Sequence, residues 1–257
     1  MVAAPLIAAL RRRVAETRNA DGGWGYLAGR ASRAEPTLWA AAATGQGLTW
    51  LAAHPLEWCG LLAPALLWDQ APGQRAGWLR AIEALRGRPV DGVEDFDATL
   101  PGWAWVDGTA SWVVPTAMAG LSLLRAGDGR AAEAVALVAN RRCEDGGWNY
   151  GNPRAFGASL PAQPQPTAWC TTLLAAAGHP APLDLEGAFS SQALGPSSLG
   201  LLLLAAARCG QDTAPWVQRL EAALGSMAGP PRLDHTALAA LALARAAGGP
   251  CPLTGQP

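Results

Sequence analysis

Acidic side chains open two of the most apolar segments of this chain. Asp234 and its neighbour His235 precede an Ala/Leu-rich run, and Glu35 stands in the equivalent place before another such run. A carboxyl group buried among apolar side chains holds its proton more tightly than one in water and can serve as an acid. An Asp at a helix start is also a common helix cap, and the helix dipole there favours the ionised form. Both roles are open for Asp234.

Tryptophan is unusually abundant, with 12 residues in a chain of 257. So many large rings call for a packing or a ligand explanation. Trp39, Trp112 and Trp169 fall at or within the first turns of apolar segments, where they either line an apolar cavity as a substrate-binding wall or fill a core. If the polar helix starts face one mouth of such a cavity, four side chains ring it: Glu35, Gln165, Asp234 and His235.

An internal repeat organises the chain. Two copies are nearly intact: RNADGGWGY with AEPTLWAAAA within 18–43, and RCEDGGWNY with PQPTAWCTTLLAAAG within 142–178. A degenerate copy, PGWAW with WVVPTAMAGLSLL, lies between them within 101–124. Two weaker helix starts follow at Gly195 and Arg232.

Each apolar run predicts a helix that is buried on all sides, because it has almost no polar face. Proline at the start of several runs suits the first turn of a helix, where its missing N–H costs nothing. Segments with a single apolar stripe precede these runs and predict surface helices. The buried helices are expected near 36–46, 60–69, 114–126, 166–178, 196–208 and 233–247.

Buried and surface helices therefore alternate in six pairs, of which the second is poorly defined. Six such pairs predict an all-α fold, an (α/α)6 toroid in which outer helices cover a closed ring of inner ones. No linker-like segment divides the chain. We predict a single toroid domain over 1–250 and a C-terminal tail over 251–257.

Charge and hydropathy exclude several classes of protein. The net charge of −1 gives no field that would favour nucleic acid. The longest apolar stretch, 199–207, is about nine residues against the roughly twenty that span a membrane, so 194–204 allows at most peripheral membrane contact. The N-terminal charges follow the apolar residues, the reverse of a signal peptide, and five scattered cysteines suit reduced thiols. A cytoplasmic protein is expected.

The DGGW loop followed by a Pro-Thr-Ala-Trp helix start resembles the QW-type repeats of squalene-hopene and oxidosqualene cyclases, in the superfamily that includes the protein prenyltransferases. The resemblance covers about 15–247 and is strongest from Asp145 to Trp169. In that family the repeat Gln and Trp pack the outer helices together, and Arg18 and Arg142 replace the Gln here. The resemblance implies a scaffold role in turns and at helix ends for four residues: Asp21, Trp24, Asp145 and Trp148.

The same resemblance implies the chemistry of a class II terpene cyclase. Such enzymes protonate an alkene or epoxide with an Asp in a DxDDTA or SDCTA motif, and aromatic faces stabilise the resulting cation. In RLDHTA, Asp234 matches the acid, whereas His235 replaces the following residue and Arg232 replaces the first Asp of DxDD. A second near-match, EDFDATL at 94–100, is followed at once by Pro-Gly, so we predict a surface turn there.

Protein prenyltransferases hold a catalytic zinc with Asp, Cys and His, and His235-Thr236 resembles the helix start that carries their His. Gln163 and Gln165 stand near the place of the Asp and Cys, and neither supplies a carboxylate or thiolate. Because catalytic zinc normally needs three protein ligands, we predict no metal and no cofactor.

The sequence thus predicts an enzyme for protonation-initiated cyclisation or isomerisation of a hydrophobic isoprenoid. A lone toroid needs a homodimer, a partner domain or a small substrate to keep water from the cation. The alternative is a non-catalytic toroid that binds an isoprenoid, another lipid or a protein. The incomplete DxDD motif supports this alternative, in which the acid site is degraded.

Overall fold

The computed structural model describes residues 4–90, 96–180 and 183–254. Within these ranges it contains twelve α-helices, two short 3-10 helices and one hairpin of two-residue strands. The protein is therefore all-α, as its sequence predicts. No helix in the described part of the chain has both the length and the apolarity needed to cross a membrane.

Two sets of helices alternate along the chain. The even-numbered helices are mostly buried: α2 (Ala34–Thr44), α4 (Ala63–Leu67), α6 (Val113–Ala126), α8 (Pro164–Ala176), α10 (Pro196–Arg208) and α12 (Leu233–Ala246). The odd-numbered helices bury fewer residues: α1 (Ala4–Glu16), α3 (Leu48–Ala53), α5 (Arg75–Ala84), α7 (Ala131–Asn140), α9 (Leu185–Phe189) and α11 (Ala214–Gly225). The other elements are the 3-10 helices Glu57–Leu61 and Pro72–Gln74 and the antiparallel strands β1 (Arg154–Ala155) and β2 (Ala158–Ser159).

Each even-numbered helix packs against the even-numbered helices before and after it. The contacts run from α2 to α4, α6, α8, α10 and α12, and α12 packs against α2. Odd-numbered helices lie against these: α1 packs on α2 and α12, α7 on α6 and α8, and α11 on α10 and α12. The apolar runs thus contact one another, and helices with a single apolar stripe cover them.

The predicted buried helices are present with small shifts of their ends, except in the second pair. There a 3-10 helix precedes α4, and α4 itself has only five residues. The C-terminal prediction was wrong in part. Cys251 and Leu253 are each 1% exposed and belong to the hydrophobic core, and Arg125 donates a hydrogen bond to the Thr254 carbonyl. Residues 251–254 therefore pack against the helices and do not form a tail.

A buried threonine joins each Gly-Trp loop to the helix that follows it. The Thr167 Oγ1 accepts a hydrogen bond from the Trp148 backbone N–H at 3.0 Å and lies 3.1 Å from the Trp148 carbonyl, to which it donates. The Trp148 Nε1 donates to the carbonyl of Val138 in α7 at 2.7 Å. The same three-part contact recurs in two other repeats, with Thr37, Trp24 and Val14 and with Thr116, Trp103 and Ile82.

The loop aspartates hold the turns before these tryptophans. The Asp145 carboxylate accepts from the Gly147 and Ala162 backbone N–H groups, and Asp21 accepts from the N–H of Gly23. Gly146 lies at φ +92°, a conformation that side chains with a Cβ rarely adopt. These contacts confirm the scaffold role of Asp21, Trp24, Asp145 and Trp148.

Arg18 and Arg142, which precede the two intact DGGW loops, contribute to the same scaffold. The Arg18 Nε donates to the Gly22 carbonyl, and its guanidinium lies 5.7 Å from the Trp24 ring centroid. The Arg142 Nε donates to the Gly146 carbonyl, and its guanidinium lies 5.9 Å from the centroid of the Trp148 ring. A guanidinium can both donate to a carbonyl and stack on an aromatic ring.

Replacement of Thr167 by valine should remove this bridge with little change in volume. We expect Thr167→Val to lower the free energy of unfolding by about 1–3 kcal/mol, because the buried Trp148 N–H loses its acceptor. In the control Thr44→Val, the lost hydroxyl donates to the Ala40 carbonyl of its own helix and accepts from the exposed Gln46 N–H, which water can replace, and we expect a change of about 0.5 kcal/mol or less. Urea denaturation measures both, and equal losses would contradict the bridging role.

Candidate functional site

Five even-numbered helices direct equivalent residues of their first two turns toward one cavity. The second residue of each helix lines one cavity: Glu35, Val114, Gln165, Ser197 and Asp234. So does the sixth residue of each: Trp39, Met118, Trp169, Leu201 and Leu238. Residues four apart lie on one face of a helix. The cavity is therefore built from equivalent faces of α2, α6, α8, α10 and α12.

The cavity has a volume of about 200 Å³ and walls rich in indole rings. Trp39 and Trp169 lie with their ring centroids 6.4 Å apart. Trp58 and Trp105 meet edge to face at 5.4 Å. Such rings offer both apolar surface and a negative face toward a cation. The remaining lining residues are Leu62, Tyr150 and His235.

Six of the seven site residues predicted from the sequence line this cavity: Glu35, Trp39, Gln165, Trp169, Asp234 and His235. The structure thus brings these six side chains together, and their catalytic and binding roles stay predictions. Trp112 was assigned wrongly. It precedes α6, is 40% exposed, and lines a different depression. Met118 holds the position in α6 that Trp39 and Trp169 hold in their helices.

The sequence analysis missed Trp58, Trp105 and Tyr150. Trp105 and Tyr150 each follow the buried tryptophan of their loop by two residues, so the repeat carried a signal for them. Tyr150 donates a hydrogen bond to Gln165 at 3.0 Å, and Tyr26, at the same loop position, donates to Glu35 at 2.7 Å. The loop and the helix start are therefore joined at the cavity in both intact repeats.

Asp234 is only 3% exposed and is paired with the residue that precedes α12. The Arg232 Nε lies 3.1 Å from Oδ1, and Nη2 lies 2.6 Å from Oδ2. The contact is a two-point ion pair between guanidinium and carboxylate. No side chain caps α12, and Asp234 lies inside the helix. The helix-cap interpretation of Asp234 is therefore wrong, and the Arg232 contact opposes its role as a proton donor.

His235 stands beside this pair, with Nε2 3.7 Å from the Asp234 Oδ2. Burial lowers the pKa of His235 below 6.5, and the Arg232 charge acts in the same direction, although the Asp234 carboxylate opposes them. The imidazole is therefore mainly neutral at pH 7. A neutral imidazole in the cavity wall can accept a proton.

Glu35 is the cavity carboxyl that keeps its proton to higher pH. Burial raises the pKa of Glu35, and the Asp234 carboxylate raises it further, whereas the Tyr26 hydroxyl and the Arg232 charge lower it. Burial also raises the pKa of Tyr26, which therefore stays a hydrogen-bond donor. The cavity wall thus combines a carboxyl group of raised pKa, a neutral imidazole and an ion pair. These are the components of general acid–base chemistry.

The second acidic motif does not belong to this cavity. Asp97 is exposed, and its Oδ1 accepts hydrogen bonds from the N–H and hydroxyl of Thr99. This confirms the predicted surface turn at Asp97, while Glu94 and Asp95 lie outside the described residues. Within the described ranges no three His, Cys, Asp or Glu side chains are grouped as a metal site.

No protein-family model matches this chain, and no curated protein matches it. The resemblance to terpene cyclases therefore stays a prediction from the motifs and from the cavity they form.

Glu35→Gln should change how stability depends on pH. Because the pKa of Glu35 is higher in the folded than in the unfolded chain, the folded protein binds more protons above pH 4.5. The contribution of Glu35 to stability is thus full below pH 4.5 and is lost as pH rises through the folded pKa. We expect the free energy of unfolding of the parent, measured by urea denaturation relative to that of Glu35→Gln, to fall as pH rises from 4.5 to 8.

Glu16→Gln is the control for this experiment, since Glu16 is exposed on α1. We expect the difference in the free energy of unfolding between the parent and Glu16→Gln not to fall as pH rises from 4.5 to 8. A stability difference between parent and Glu35→Gln that is constant over this range would show that Glu35 titrates as it does in the unfolded chain.

Proposed function

We propose that the six helix pairs form an (α/α)6 toroid of the squalene-hopene cyclase and protein-prenyltransferase type. Four observations support this architecture. The even-numbered helices contact one another in succession, α12 returns to α2, and odd-numbered helices cover them. The shared register of the helix starts is the fourth, because equivalent residues of successive inner helices then face a common axis.

The proposed activity is protonation-initiated isomerisation or cyclisation of a small isoprenoid within the cavity. The observation that carries it is the convergence of the Glu35 carboxyl, the neutral His235 imidazole and the indole walls on one apolar space. An alkene is a very weak base, so its protonation requires a site that stabilises the carbocation that forms. The rings of Trp39 and Trp169 supply part of that stabilisation.

Glu35 is the proposed acid. Its proton is transferred to an alkene carbon, and the π electron pair forms the new C–H bond. The cation that remains either loses a neighbouring proton or is attacked by a second alkene of the same substrate and then loses a proton. His235 accepts that proton and returns it to Glu35, so the reaction needs no co-reactant. The Asp234 carboxylate, paired with Arg232, lies in the same wall and takes no part in this proton transfer.

The size of the cavity favours a short substrate. A buried apolar cavity of about 150 Å³ admits benzene in another protein, and this cavity has about 200 Å³. A ten-carbon isoprenoid suits that space better than squalene does. A short substrate also agrees with the expectation that a lone toroid shields only a small cation from water.

A second function is favoured by the Arg232 contact. Arg232 occupies both oxygens of Asp234, the residue that the motif equates with the acid of the cyclases. This second function is non-catalytic binding, in which the same cavity binds the isoprenoid and releases it without chemical change.

The activity is tested with purified protein and geraniol, geranyl diphosphate, farnesyl diphosphate and squalene, with organic extracts analysed by GC–MS. We expect an isomerised or cyclised ten-carbon product from the parent and none from Glu35→Gln. The exposed control Glu16→Gln should match the parent. A Glu35→Gln variant with full activity would remove Glu35 as the acid. Substrate recovered bound but unchanged from the parent would favour the binding function.

The aromatic wall is tested by a matched pair of substitutions. Trp169→Leu should reduce product formation by about tenfold or more, because a desolvated cation loses its contact with the indole face. Trp112→Leu removes an indole outside the cavity and should leave the rate near that of the parent. Equal effects of the two substitutions would contradict a specific role for the cavity wall.

A further inference from the structure

A second depression, of about 190 Å³, lies beside the start of α6. Its walls include Trp112, Phe96 and Val90, together with the side chains of Arg88 and Arg141. Trp112 and Val90 are 40% and 41% exposed, which leaves apolar surface open to solvent. The depression therefore combines two cationic groups with an apolar wall.

Arg141 is the unusual member of this set because it is buried and makes no ion pair with any residue that the structure describes. It is 4% exposed, and its Nε has no hydrogen-bond acceptor among the described residues. Burial lowers the pKa of Arg141 to about 10. The carboxylate of Asp97 opposes this shift, but it accepts its hydrogen bonds from Thr99. A buried charge normally finds a hydrogen-bonded partner.

The Arg141 side chain donates no hydrogen bond to a described residue, although its Nε is itself buried. Arg141 stacks on Phe96, with its central carbon 3.7 Å from the ring centroid. Stacking uses the face of the guanidinium, whereas its N–H groups point outward in the plane of the group. A planar fork of this kind matches two oxygens of a carboxylate or phosphate. Arg88, in the same wall, also makes no ion pair with a described residue.

We propose that this depression is a binding site for a small organic anion, a phosphate monoester or carboxylate whose oxygens meet Arg141 and Arg88. Its apolar body lies against the Trp112 ring. The site is separate from the cavity of the proposed isoprenoid chemistry, and the inference does not depend on that chemistry. The bound anion supplies acceptors that the described residues do not provide for Arg141.

Isothermal titration calorimetry with phenyl phosphate and with benzoate tests the proposal and distinguishes the two anions. We expect at least one of them to bind, and benzyl alcohol, which has the ring without the charge, not to bind. Inorganic phosphate should bind more weakly because it lacks the apolar body. Absence of binding by both organic anions would overturn the proposal, and inorganic phosphate binding as tightly would contradict the apolar contact.

Arg141→Met keeps most of the side-chain stem and removes the charge. We expect it to weaken the binding of the anion by roughly tenfold to a hundredfold, the loss typical of hydrogen bonds to a charged group. Arg12→Met, on the exposed face of α1, is the control and should bind like the parent. Unchanged affinity in Arg141→Met would place the anion elsewhere.

Thermal unfolding without any anion gives an independent test of the unpaired charge. Because Arg141 is buried with no ion-pair partner among the described residues, Arg141→Met should unfold at the same temperature as the parent or higher. A clear fall in the unfolding temperature would show that Arg141 already has a stabilising partner within the chain. That result would overturn the proposal.

Discussion

The backbone N–H of each buried loop tryptophan needs an acceptor, and the threonine of the next helix supplies it. Trp148 and Thr167 show the contact most fully, since the indole N–H also reaches the preceding helix at Val138. One tryptophan therefore fixes an outer helix, a loop and an inner helix relative to one another. Because the threonine is always the fourth residue of its helix, the second and sixth residues are fixed with it.

The candidate site depends on that fixed register. The second and sixth positions bring carboxyl, amide and hydroxyl groups together with large apolar side chains in one cavity. Within it, the charges are distributed unequally between two carboxyl groups. Burial raises the pKa of Glu35, and the nearby Asp234 carboxylate raises it further. The two carboxyl groups thus have different surroundings: Asp234 is paired with Arg232, and Glu35 accepts a hydrogen bond from the Tyr26 hydroxyl.

Most of the helices and most of the cavity were predictable because the repeat preserves the Pro-Thr helix start and the hydrophobic pattern. The second helix pair was not, since its short α4 has no intact repeat before it. The sequence analysis placed Trp112 in the cavity because of its residue type alone. The position within the helix decides instead: Trp112 precedes α6, whereas Trp39 and Trp169 are the sixth residues of α2 and α8. The role of Asp234 required the side-chain position of Arg232, because a sequence shows that two residues are neighbours but not that they form an ion pair.

The central claim is that residues from five helix starts enclose one ligand cavity. Met118 lines that cavity, and Met227 lines a different groove between α1 and α11. The protein has only three methionines, so 13C-methyl methionine NMR reports on the cavity directly. Titration with geraniol should shift the Met118 signal, which lies among aromatic rings, and leave Met227 in place. A Met118 signal that does not respond while Met227 shifts would contradict the account.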